Sequence, residues 1–131
     1  MTQSANKTTL TTSELVPLAT AQDCIGRYVT SQQIVPDPTY AFIVSHNDIM
    51  DALGIKKPEP PMDFKQFRVY FGLSPKDLGY KMRLFLVPVD DAGNDVLPLD
   101  ADGNMCVYDF NAPCPATCDI NSPLYYGNLS A

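Results

Sequence analysis

Tryptophan is absent from this 131-residue chain, and histidine occurs once, as His46. Without tryptophan, the large core groups must come from the 6 phenylalanines and 7 tyrosines. With a single imidazole, an H-E-x-x-H zinc site has no second histidine to draw on. Basic residues are scarce too. Nine Lys and Arg stand against 15 Asp and Glu, a formal net charge of −6. An acidic chain is repelled by phosphate backbones and by anionic lipid surfaces, which argues against nucleic acid and membrane as partners. Glycine is sparse, and none of the 7 builds a phosphate-cradling loop or a G-x-S-x-G nucleophile turn. No apolar run is long enough to cross a bilayer. The first twelve residues, "MTQSANKTTLTT", are polar and show no signal-peptide core. The expectation is a cytoplasmic protein with reduced thiols.

What remains is ordinary globular material. Hydrophobic residues make up 45% of the chain and charged residues 18%, enough to bury a core and too apolar for disorder. Residues 1–12 lack the apolar content to offset ordering and are expected to form a flexible tail. From Ser13 to about residue 112 the pattern predicts one α+β domain, a small antiparallel β-meander with two helices packed on one face.

The first helix is predicted over 17–30, with Pro17 in its opening turn and Leu18, Ala21 and Cys24 at helical spacing. "YAFIV" then reads as a short strand. Ser45 follows as the N-cap of a second helix, with Asp48 three residues on and Gly54 closing it. The stretch 56–63, "KKPEPPMD", is a stiff connection. Residues 66–72 and 81–89 are expected to pair as a hairpin through "SPKDLG". Alternation assigns Phe67, Val69, Phe71, Met82, Leu84 and Leu86 to the core and turns Arg68 and Arg83 away from it. "AGN" and "ADGN" are turn signals, and the second precedes a strand at 105–110. Residues 113–131 form a proline-rich extension. It is expected to pack on the domain through Leu124, Tyr125 and Tyr126.

Few residues could carry chemistry. Cys114 and Cys118 lie in "APCPATCD" at C-x3-C spacing, close to a zinc knuckle but one residue too long. Cys106, Cys24 and His46 are the soft partners that could complete a tetrahedral site, two of them on predicted core faces, so zinc is the one cofactor to weigh. The flanking prolines keep both thiols off a common helix face. Cysteines acting as small hydrophobes, or as a disulfide in an oxidising setting, account for the same residues. "DADGNMCVYDFN" imitates the first ligands of a calcium loop at Asp100, Asp102 and Asn104. It lacks the turn glycine and the closing glutamate, and an Asp-Gly turn explains it more simply. His46 falls at the start of the second helix with no cysteine near it in sequence.

The run "VYDFNAPCPATCDINSPLY", with "LFLVPVD" before it, resembles the C-terminal signature of small bacterial proteins of no established activity. The likeness covers roughly the last 50 residues. It implies a bacterial origin and a common fold, and it transfers no site.

No catalytic constellation emerges. The residues point instead to a non-enzymatic interaction or accessory protein, binding a protein partner or assembling with itself. One version is an acidic neutralising partner of the immunity type. Six tyrosines, Tyr28, Tyr40, Tyr70, Tyr80, Tyr125 and Tyr126, are the expected contact groups. The alternatives are a small metal-binding module using Cys114, Cys118 and Cys106, and a small cysteine-dependent enzyme.

Overall fold

The computed structural model describes residues 13–54, 63–110 and 119–129. The architecture is α+β: a five-stranded antiparallel sheet and two helices. Strand β1 spans Ser13–Pro17 and runs directly into helix α1, Leu18–Ser31. Strand β2, Ala41–Ser45, is followed at once by helix α2, His46–Leu53. Strands β3 (Gln66–Leu73), β4 (Met82–Val89) and β5 (Cys106–Phe110) complete the sheet. Its order is β1-β5-β4-β3-β2, every neighbour antiparallel. Strands β2 to β5 form the expected meander. By that alternation β1 and β2 run in the same direction at opposite edges, and α1 links them across the sheet.

Helix α2 forms as its caps dictate. The Ser45 hydroxyl accepts a hydrogen bond from the Asp48 amide, and Gly54 closes the helix at φ +71°. The αL conformation costs a glycine little, which is why the helix ends there. Strand β1 was not anticipated. "SELVP" has five residues, and a partner strand far along the chain, Cys106–Phe110, makes it a strand. Pro17 therefore ends β1 and stands at the N-cap position of α1, one residue before the helix.

The hairpin of β3 and β4 pairs as predicted, but its faces are reversed. Cross-strand partners place Arg68, Tyr70, Gly72, Arg83, Phe85, Val87 and Val89 on one side. Helix α1 covers that side, where Phe85 and Val87 join Ala21, Cys24 and Val107 in the core. Met82, assigned to the core from its spacing, is exposed. Phe67, Val69, Phe71, Leu84 and Leu86 lie on the opposite face and are only half-buried. The physical reason lies in β4, "MRLFLVPV". Both of its faces are apolar, so a period of two cannot choose between them.

Gly72 decides where the helix can sit. A Cβ there would come within 2.7 Å of Cε2 of Phe85 and 3.1 Å of Cβ of Cys24. Arg27, one turn further along α1, donates to the Leu73 carbonyl oxygen at 2.7 Å and pairs with Asp23 at 2.5 Å. The helix is therefore fastened to β3 at the point of closest approach.

Two loops between β4 and β5 are built alike. Pro88-Val89-Asp90 and Pro98-Leu99-Asp100 each lead to a Gly-Asn pair. Asp90 Oδ1 accepts from the amides of Ala92 and Asn94, and Asp100 Oδ1 accepts from those of Asp102 and Asn104. Each aspartate amide donates to the matching asparagine carbonyl at 2.9 Å. Gly93 and Gly103 adopt φ of +88° and +83°. The repeat P-[VL]-D-x-x-G-N thus encodes one turn twice.

Of the extension, residues 111–118 lie outside the described residues. In 119–129, Leu124 is 84% exposed and Tyr125 is half-buried. The Asn128 side chain donates through Nδ2 to the carbonyls of Ile120 and Ser122, closing the segment on itself.

Gly72→Ala is expected to destabilise the protein by about 1–3 kcal/mol through overpacking between α1 and β3. The urea midpoint measures this, and an unchanged midpoint would mean that the helix does not rest on Gly72.

Candidate functional site

Strand register places every charged strand residue on one side of the sheet. Glu14, Arg68, Arg83 and Asp109 all share the face that carries α1. Among the described residues, no strand position on the other face carries a charge. Leu15, Phe42, Val44, Phe67, Val69, Phe71, Leu84, Leu86, Tyr108 and Phe110 form its apolar expanse. Phe42 is 58% exposed and Phe110 42%. An antiparallel sheet with one covered face ordinarily keeps polar residues on the other. Here the uncharged face is the one that α1 leaves open, apart from Tyr28 against Phe71.

A cleft of about 420 Å³ opens on that face. Phe64, Phe67, Leu86, Pro88, Tyr108 and Phe110 supply its apolar walls, and His46, Asp63, Lys65 and Gln66 its polar lip. The His46 ring approaches the Lys65 carbonyl oxygen through Nδ1 at 3.1 Å, while the His46 amide donates to the same oxygen at 2.8 Å. Phe42 meets Phe71 edge-on with ring centroids 5.6 Å apart, and Tyr28 of α1 tilts against Phe71 at 5.5 Å. Aromatic groups of this kind supply interface area at low entropic cost.

The covered face holds the buried polar cluster. Asp109 is fully buried and ion-paired with Arg83, whose side chain is 24% exposed. The guanidinium stacks over the Phe85 ring at 5.5 Å and lies 3.9 Å from the Cys24 sulfur. Among the described residues, Asp109 Oδ1 has no hydrogen-bond partner. Strand register sets Glu14 opposite Asp109, so Arg83 also offsets a like-charge pairing. A second ion pair, Arg68 with Asp95, lies nearer the β2 edge. Asp95 also accepts from the Tyr70 hydroxyl. Burial raises the Tyr70 pKa, and the Asp95 hydrogen bond adds to the effect. By linkage, whatever this contributes to stability is present below the unfolded tyrosine range and is lost as the pH rises through the raised value.

The residues predicted to carry chemistry are dispersed. Cys24 and Cys106 are buried free thiols. Neither lines the cleft bordered by His46. Burial pushes the Cys106 thiol up, and the Asp100 carboxylate pushes it further. Asp100 is held below the usual carboxylate range, first by the Asn104 amide. That oxygen is thus occupied as a turn cap. Among the described residues no cluster of three or more His, Cys, Asp or Glu is placed to hold a metal ion. Cys114 and Cys118 lie outside the described residues. The tyrosines do not form one contact surface. Tyr70 is on the covered face, Tyr28 donates to the Thr39 carbonyl, and Tyr80 sits in a loop at φ +52°. The phenylalanines of the open face were readable as apolar strand positions, but nothing in the alternation marked that face as open.

Comparisons with family models, with curated proteins and with solved structures found no match.

Removing Asp109 as Asp109→Ala leaves Arg83 without its partner and is expected to cost about 3–5 kcal/mol. The double change Arg83→Met with Asp109→Leu should recover most of that loss. Denaturant titration of the three proteins decides it, and a double variant no more stable than Asp109→Ala would contradict this account. The thiol chemistry is equally accessible. In the native protein at neutral pH, Cys106 should be alkylated by iodoacetamide many-fold more slowly than after denaturation. Peptide mapping reads the rate, and fast native labelling would point to an activated nucleophile.

Proposed function

We propose that this chain is a non-enzymatic interaction or accessory protein that works through the open face of its sheet. The observation that carries the reading is the absence of any charged residue among the strand positions of that face. Exposed apolar patches of such extent mark sites where another surface docks. Phe42, Tyr108 and Phe110 are the groups that a partner would desolvate, and aromatic side chains dominate such contacts. The net charge of −6 adds solubility and discourages nucleic acid. An acidic neutralising role of the immunity type would use charge instead, and the strand positions of the open face offer none.

Phe42→Lys tests the reading. Residue 42 lies on the edge strand β2 and is 58% exposed, so the substitution leaves the core intact. Cross-linking of the purified protein, alone and in extract from its source cell, should yield adducts that the variant loses, with circular dichroism unchanged. Identical adducts from both proteins, or none from either, would argue against the open face as a contact surface.

A further inference from the structure

Resting on that reading, we infer that the occupant of the open face is a second copy of this chain, packed sheet on sheet across a two-fold axis. Charge chooses the partner. A surface that buries Phe42, Leu84, Leu86, Tyr108 and Phe110 must offer no charge of its own, because an unpaired ion in such a contact is costly to desolvate. The face satisfies that requirement against itself. Each copy keeps Glu14, Arg68, Arg83 and Asp109 on the far side of the sheet, so pairing desolvates none of them. A two-fold axis makes the same patch serve both partners.

The area is consistent with this. Five strands at about 4.8 Å spacing, each of 5 to 8 residues at about 3.3 Å, give a face of roughly 500 Å². Two such faces bury at most about 1,000 Å², near the lower bound for a specific interface. The dimer is therefore reversible and concentration-dependent. Aligned sheets pack about 10 Å apart, which lets the phenylalanines of the two faces interdigitate.

Salt supplies a signature. Two copies of net charge −6 repel at long range, while the strand positions in contact are uncharged and Asp63 and Lys65 stay at the rim. Screening should therefore strengthen the association rather than weaken it.

The test is sedimentation velocity over a concentration series at low and high salt, on the full chain. Wild type should move from monomer to dimer with concentration, at lower concentration in high salt. Phe42→Lys and Met82→Lys, both at exposed positions of the open face, should stay monomeric with unchanged circular dichroism. Ile34→Lys, at a 92% exposed position beyond α1, should dimerise like wild type. A wild type that is monomeric throughout overturns the inference. If that monomer binds the dye ANS and Phe42→Lys does not, the face is open to a different protein and the broader reading survives. If it binds no ANS, the chain covers its own face and both readings fail. A dimer that persists in both lysine variants overturns the inference as well.

Discussion

Helix α1 approaches the sheet most closely where Cys24 and Phe85 crowd the missing Cβ of Gly72, and that contact decides which face becomes core. The strands alone do not decide it. Strand β4 could bury Phe85, Val87 and Val89 or Leu84, Leu86 and Pro88, with similar apolar gain from either face. On the face carrying Gly72 the missing side chain lets the helix backbone come close, with the Cys24 carbonyl carbon 3.2 Å from where a Cβ would stand. Once α1 is seated there, Phe85 is fully enclosed, and the rest of the register follows from the pairing of strands.

Seating the helix on this face encloses charge. Arg83 and Asp109 share the core face with Phe85, and burying two ions costs more than burying two hydrocarbons. Their pairing, and the stacking of the guanidinium on Phe85, offset part of that cost. The second consequence lies on the other side of the sheet. With the polar strand residues turned inward, the outward face is left uncharged and aromatic. A buried ion pair and an open apolar face are thus two results of one choice.

The loops serve this arrangement without chemistry of their own. Asp90 and Asp100 spend a carboxylate oxygen each on backbone amides, so the chain leaves β4 and enters β5 through two copies of one turn. The aspartates that imitate a calcium loop are accounted for by that geometry. Its repeat, P-[VL]-D-x-x-G-N, stands in the sequence in plain view.

Local chemistry made much of the fold legible. Caps at Ser45 and Gly54 bound α2, helical spacing from Leu18 predicts α1 to within a residue, and alternation locates β3, β4 and β5. These are decided by neighbours along the chain, within the reach of one hydrogen bond or one turn. Strand β1 and the direction of the sheet's faces were not legible. Each depends on residues far apart in sequence, Ser13 against Phe110 and Cys24 against Gly72. The open face was hidden for the same reason: a strand apolar on both sides carries no local mark of which side a helix will cover. The sequence by itself determined α1, α2 and strands β2 to β5, with their ends to within a residue, because propensity and capping act locally. The tertiary structure alone decided which apolar surface is core and which stands open, because that choice rests on where a helix can approach a sheet.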